Sequence, residues 1–305
     1  MNPSYINAVR LLLAVAPEIF RGSPFALKGG TAINLFVRDM PRLSVDLDLV
    51  YADHRPSRDE ALLAVSTALE SIKNELIHSG YPCDMGSTAE GNEVKLFVQR
   101  NRMRLKIEVN HVFRGTVLPV EMRALVGIAQ ETFQTDLQLP VLHPDELYGS
   151  KLVAAMDRQH PRDLFDVLGL YKHGGLTKGI VDCFVCYLAG HNRPVHEVLF
   201  ANQLDIKAAF ANEFEGMARD PVTLDDLLEA RRILFNDLPT ALTDHHRRFL
   251  SGIVHCEPDW SLMQCPHLEQ MPAIRWKLEN LAKLKRTNPG KFSRQSAELA
   301  ARLNS

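Results

Sequence analysis

Apolar and polar positions alternate in two distinct rhythms along the first half of the chain. Over residues 4–20 the apolar positions recur at helical spacing, which predicts an amphipathic helix. Residues 25–28 run into a turn at Gly29-Gly30. A short apolar segment from Thr31 to Val37 then reads as a helix ending before Pro41. From residue 43 the period changes to two: Leu43, Val45, Leu47 and Leu49 alternate with Ser44, Asp46 and Asp48, so a strand is expected over 43–50 with two carboxylates on one face. Residues 58–79 return to the helical period. Residues 94–99 and 103–110 predict two strands joined by a tight polar turn, and 111–142 is mixed, with short strand-like pieces. His143-Pro144-Asp145-Glu146 has an early proline and acids in the first turn, which starts a helix running to about Arg158. A second helix follows Pro161 and stops at Gly174-Gly175. Beyond it only helices and loops are expected. The pattern thus predicts an α+β chain, with a domain of strands and helices over 1–175 and a mainly helical domain over 176–305.

Composition narrows the class without choosing a function. The chain has 305 residues, 46% hydrophobic and 24% charged, a globular balance that excludes disordered, collagen-like and coiled-coil proteins. Its net charge of −2 excludes a globally basic nucleic-acid coat but allows a local basic patch. No apolar run approaches the roughly 20 residues that span a bilayer, so no membrane segment is expected. The start of the chain lacks a signal-peptide pattern, and five scattered cysteines suit a reducing, cytoplasmic setting.

The chemistry concentrates in Lys28-Gly29-Gly30-Thr31 and Arg42-Leu43-Ser44-Val45-Asp46-Leu47-Asp48. Two glycines let backbone N–H groups approach a phosphate, a helix start adds partial positive charge, and Thr31 adds a hydroxyl. Asp46 and Asp48 project together from a strand as hard oxygen ligands for a divalent cation. Nucleotidyl transfer uses two such ions about 3.5–4 Å apart. Either motif alone is commonly only a turn or a solvated strand face; the two separated by one helix favour a site. Glu108, on the polar face of the 103–110 strand with Lys106, is the candidate third carboxylate, against the plainer reading of an exposed strand glutamate.

A second cluster follows. Leu147, Lys151, Ala154, Ala155 and Arg158 share a helical stripe, and cations on a largely apolar stripe need an anionic partner. A triphosphate would serve, and so would Asp163 and Asp166 on the next helix. Phosphate is favoured for Lys151. Arg158, Arg162 and Asp163 stand evenly between a ligand site and an internal ion network.

These motifs together resemble the AbiEii/AbiGii-type nucleotidyltransferases. Leu27-Lys28-Gly29-Gly30-Thr31-Ala32 and Arg42-x-Ser44-x-Asp46-x-Asp48 resemble the family's opening motif, and Lys151 with Arg162-Asp163-Leu164-Phe165-Asp166 its later ones, over about residues 20–175. The resemblance implies a fold like that of DNA polymerase β, with a small mixed sheet and helices followed by a helical domain, and it implies a nucleoside triphosphate substrate and two Mg²⁺ ions. It implies a toxin of a toxin–antitoxin or phage-abortive system, with an antitoxin partner and with transfer of nucleotides to the 3′ end of tRNA, so blocking aminoacylation. By carry-over, Gly29, Gly30, Thr31, Arg42, Lys151 and Arg158 would bind the triphosphate. Asp46 and Asp48 would hold Mg²⁺ with Glu108, the loosest match, and Asp166 would be the late essential acid.

The tail adds one feature. Residues 271–305 hold eight Lys and Arg against Glu279 and Glu298, so the rest of the chain is net acidic. Arg275, Lys277, Lys283, Lys285 and Arg286, interleaved with Trp276 and with Phe292 nearby, suit an RNA backbone, although an amphipathic terminal helix would look the same. Cys183 and Cys186 read as helix core. His255-Cys256 and Cys265-x-His267 match no common zinc spacing, and His245-His246 are expected at the surface or a helix end. A tRNA-directed transferase is the leading expectation. The alternatives are transfer to a protein or a small molecule such as an aminoglycoside, and a non-catalytic nucleotide-binding interaction protein. A monomer is the default.

Overall fold

The computed structural model describes residues 3–87, 93–100 and 103–303. The chain divides into two compact units, Met1–Leu147 with Glu215–Pro221, and Tyr148–Phe214 with Val222–Ser305. The boundary expected near residue 175 lies inside the second unit, so the helix begun at Pro144 crosses the division.

The first unit contains helix α1 (Pro3–Phe20), strand β1 (Phe25–Lys28), the short helix α2 (Gly29–Ala32) continued by a π-helical turn over Ile33–Val37, and strand β2 (Asp46–Tyr51). Helix α3 (Arg58–His78), strands β3 (Cys83–Ser87), β4 (Glu93–Arg100), β5 (Met103–Asn110) and β6 (Glu121–Ala124), helix α4 (Gly127–Phe133) and strand β7 (Gln138–Val141) follow. Among the described residues seven strands form one mixed sheet, in the order β3-β4-β5-β2-β1-β7-β6. β2 runs parallel to β5 and antiparallel to β1, which in turn runs parallel to β7.

The period-two alternation explains how this sheet is used. Leu47, Leu49, Leu96, Val98, Leu105, Ile107 and Val109 are buried and form the apolar side, on which α1 packs. The opposite side carries Asp46, Asp48, Lys95, Phe97, Arg104, Lys106 and Glu108, half-buried or exposed. Helix α3 starts at a capping box in which the Ser57 side chain accepts from Glu60 N–H and the Glu60 side chain accepts from Ser57 N–H.

Three local expectations shift. The strand anticipated from residue 43 begins at Asp46, because Arg42 instead forms an isolated antiparallel bridge with Ala218 and Leu43 N–H donates to the Met217 carbonyl at 3.0 Å. The mixed segment 111–142 holds β6 and β7 but also α4. The polar turn expected between β4 and β5 falls on residues 101–102, outside the described residues.

Helix α5 (Pro144–Asp157) begins in the first unit and leads into the helical second one. There follow α6 (Pro161–Lys172), α7 (Lys178–Ala189), α8 (Val195–Leu199), α9 (Lys207–Glu213), α10 (Leu224–Ala241), α11 (Asp244–His255), α12 (Pro272–Thr287) and α13 (Pro289–Leu303). Cys183 and Cys186 are buried on α7, as core residues of a helix would be. A Cβ at Gly149 on α5 would lie 2.6 Å from Cys183 Cβ, so glycine there permits close approach of the two helices. His246, expected at the surface or a helix end, lies in the first turn of α11, where it is buried in the capping box with its Nε2 2.8 Å from Asp182 Oδ1. No described helix is long and apolar enough to cross a membrane.

Candidate active site

The site is built around a turn that only glycine fits. Gly29 follows β1 with φ +75°, a conformation that costs side-chain-bearing residues. A Cβ there would also collide with the Asp48 carboxylate. A Cβ at Gly30 would lie 2.6 Å from Arg42 Nη2 and 3.0 Å from Ser44 Oγ. Each glycine therefore lets a polar side chain of the Arg42–Asp48 segment press against the backbone of the turn. The first N–H groups of a helix have no intrahelical acceptor, and at the start of α2 they belong to these glycines and Thr31. Thr31 Oγ1 donates to the Asp46 carbonyl at 2.5 Å, and Asn34 Nδ2 to the Gly30 carbonyl at 2.9 Å. These bonds tie the turn both to β2 and to its own helix.

Arg42 is almost wholly buried, with Nη1 donating to the Leu43 carbonyl at 3.1 Å. Its position behind Gly30 places a fixed positive charge beside the turn. Ser44 is the part of this arrangement that the spacing did not single out; its signal was its place in the Arg42-x-Ser44-x-Asp46 run.

Register fixes the carboxylates. Asp48 sits opposite Lys28 on β1 and opposite Glu108 on β5, while Asp46 sits opposite Lys106. Directly opposed residues of neighbouring strands share a face, so three acids and their cations form one polar field. Glu108, expected as a third metal ligand, is in the right row but otherwise engaged. Its two oxygens lie 2.7 Å from Lys95 Nζ and 2.7 Å from Lys106 Nζ. Lys106 Nζ also lies 3.8 Å from Asp46 Oδ1. Burial alone would raise the Glu108 pKa, but the hydrogen bonds and charges of Lys106 and Lys95 outweigh it and hold the carboxyl below its ordinary value. Among the described residues no three His, Cys, Asp or Glu side chains converge on one point. The oxygen donors of Asp46 and Asp48 fit a hard divalent cation, and Asp48 touches the glycine turn. Lys95 was not anticipated, although the alternation of 94–99 puts it on this face.

The later motifs form a different object. Lys151, Asp163 and Asp166 are buried in the second unit. Lys151 Nζ lies 2.7 Å from Asp163 Oδ1 and 3.1 Å from Asp166 Oδ2, and Arg158 Nε lies 2.6 Å from Asp163 Oδ2. Phosphate was favoured for Lys151, and what the structure places on its ammonium is this carboxylate pair from α6. Burial would raise the Asp163 pKa, but the charges of Lys151 and Arg158 hold it far below the usual carboxylate range. Arg158 is 62% exposed, so its outer edge faces solvent.

The basic tail separates by face. Arg275, Lys283, Lys285 and Arg286 are exposed on α12, and Trp276 is 50% exposed beside them. Lys277 departs from the expectation of an RNA contact. It is buried, donates to the Arg193 carbonyl at 2.6 Å, and has its pKa pushed down by burial to about 8. Phe292 is buried under Lys285, whose Nζ lies 5.5 Å from the ring centroid. Cys265 Sγ lies 3.6 Å from His267 Nε2.

Comparison with known proteins gives this geometry a lineage. The chain is similar in structure to MenT4, a nucleotidyltransferase toxin from Mycobacterium tuberculosis H37Rv, with a TM-score of 0.60 at 19% identity, covering 92% of this chain and 95% of that one. That likeness establishes the shared fold. No curated protein matches the sequence. The model of a family described as the nucleotidyl transferase AbiEii toxin of type IV toxin–antitoxin systems matches residues 10–280, nearly the whole chain. With its glycine turn and paired aspartates in place, the chain belongs to the AbiEii family of nucleotidyltransferase toxins.

Proposed function

We propose that the protein transfers a nucleotide from a nucleoside triphosphate to the 3′-hydroxyl of an RNA, with the tRNA 3′ end as the acceptor, in the cytoplasm and under control of an antitoxin. The reading rests on one observation: the Asp48 carboxylate packs on Gly29 of the phosphate turn, so cation ligands and phosphate donors are adjacent. Family membership supports the triphosphate substrate and the antitoxin. The exposed cations of α12 beside Trp276 support a polyanionic acceptor.

In this reading the backbone N–H groups of Gly29, Gly30 and Thr31 hold the triphosphate, with Arg42 supplying positive charge from behind. Asp46 and Asp48 would hold Mg²⁺, which when bound neutralises phosphoryl charge as a Lewis acid. The acceptor oxygen attacks the α-phosphorus, and a new P–O ester bond forms. The bond from the α-phosphorus to the bridging oxygen breaks, pyrophosphate departs, and the hydroxyl proton passes to solvent. Glu108 acts as a positioning residue that anchors Lys106 beside Asp46. Lys151 and Asp166 act with Asp163 as the ionic knot joining α5 to α6.

The test is a labelling assay with Mg²⁺, total tRNA and each α-³²P nucleoside triphosphate in turn, beside Asp46→Ala. Label on tRNA that requires Asp46 is the expected result. Label on protein or a small molecule instead would overturn the RNA acceptor while keeping the chemistry. Nucleotide binding without transfer to any acceptor would overturn the enzymatic reading.

A further inference from the structure

The polar side of β3–β5 carries an aromatic group that the core does not need. The apolar side of β4 is filled by Leu96 and Val98, yet Phe97 points to the polar side, half-buried. The Arg104 guanidinium carbon lies 3.6 Å from the centroid of its ring, a stacking distance. Gly86 leaves room at the ring's edge, since a Cβ there would lie 3.2 Å from Phe97 Cε2. Gln99 Nε2 donates to Asp84 Oδ2 at 3.1 Å and sets a polar rim beyond Arg104.

The register connects this stack to the aspartates. Phe97 is opposite Lys106, and Lys106 is opposite Asp46. Two strand spacings of about 4.8 Å put the ring about 10 Å across the sheet from Asp46. Stacked nucleotides advance about 3.4 Å each, so three of them span that gap. Lys95, Arg104 and Lys106 place three cations on this face, beside Asp84 and Glu108. Flat groups with neighbouring cations are how single strands are held without sequence readout.

We propose that the Phe97–Arg104 stack is the platform for the unpaired 3′-terminal nucleotides of the acceptor RNA, receiving a base and aiming the terminal hydroxyl across β5 toward Asp46. This deepens the transferase reading and rests on it for the identity of the acceptor. Phe97 and Arg104 are binding residues; Lys106 steers the backbone between them and the aspartate.

The test measures binding apart from chemistry. A 5′-fluorescein-labelled single-stranded RNA with a free 3′-hydroxyl is titrated in Mg²⁺ with the full chain carrying Asp46→Ala, followed by anisotropy. Adding Phe97→Ala or Arg104→Glu should raise Kd between about five- and 150-fold, the cost of one lost base stack. Phe97→Trp should keep the affinity. Nucleoside triphosphate binding should stay unchanged in all of them. In the active protein the same variants should raise KM for RNA with kcat largely retained. Arg104 is exposed, so Arg104→Glu decides the matter if Phe97→Ala fails to fold. If the wild type labels RNA and both variants label it with wild-type KM, the platform is overturned and the transferase reading stands. If RNA binding depends on both residues but no nucleotide is transferred, the platform stands and the transferase reading falls. Failure of the Asp46→Ala protein to bind the RNA at all overturns the platform.

Discussion

Lysine meets aspartate twice in this protein, and the two meetings differ in kind. In the sheet unit Lys106 reaches Asp46 at 3.8 Å, with both side chains about one-third exposed. In the helical unit Lys151 reaches Asp163 at 2.7 Å, with exposures of 7% and 1%. A pair open to water is held weakly, so its carboxylate can exchange an ammonium for a metal ion or admit a phosphate at little cost. A buried pair has given up its hydration, and neither partner can leave without stranding the other. The same residue types are therefore open to exchange at the first place and locked together at the second. Proximity to a family motif does not by itself make a charge catalytic.

The strongest way to break this contrast is to remove the ligands on the open side. Asp46→Ala and Asp48→Ala should abolish transfer in the labelling assay while the unfolding free energy from urea titration stays within about 0.5 kcal/mol of wild type. On the buried side, Asp163→Ala should cost about 3–5 kcal/mol of stability by denaturant unfolding, because Lys151 and Arg158 lose their shared partner. Lys151→Met should be similarly destabilised. If it instead lost transfer with an unchanged midpoint, its ammonium would belong to the nucleotide and not to the knot. Gly30→Ala should cost about 1–3 kcal/mol, since the new methyl must displace the buried Arg42 guanidinium, and nucleotide affinity should fall with it.

Acid provides a subtler probe. Asp163 has its pKa lowered in the folded state, so its contribution is complete above the ordinary carboxylate value of about 4 and disappears as pH falls through the folded value. The stability difference between wild type and Asp163→Ala should hold steady from pH 7 to 5 and shrink below about 4. Smallest of all is Lys106→Met. Stability should change by no more than about 1 kcal/mol, while the Mg²⁺ concentration giving half-maximal transfer should fall because a competing cation has left Asp46.

The sequence rhythm made much of this legible. Alternation over 43–50 and 103–110 put Asp46, Asp48 and Glu108 on polar strand faces, and the register joined them in one field. The early proline of α5 and the glycines ending α6 marked real helix ends. What stayed hidden needed partners distant in sequence. Nothing local says that Lys95 will clamp Glu108, since the clamp depends on how β4 pairs with β5. Lys151 carries the same charge whether it faces phosphate or carboxylate, and only the packing of α6 supplies the carboxylates. Lys277 was read from charge alone, whereas the apolar stripe of α12 carries it inward. The strand expected from residue 43 was shortened by a segment that lies about 170 residues later, beyond the reach of any periodicity argument.

That late segment has a consequence for how the toxin comes into being. Residues 215–221 belong to the sheet unit, pairing Ala218 with Arg42, Met217 with Leu43 and Arg219 with Pro41. The Arg42 backbone, whose side chain backs the glycine turn, thus takes its partner from a stretch translated long after the aspartates. A nascent chain still short of that point has its whole glycine motif outside the ribosome but lacks the backbone bridge beside Arg42. A chain ending before residue 217 would lack all three of these backbone contacts, and the segment that carries Arg42 toward the aspartates would go unbraced.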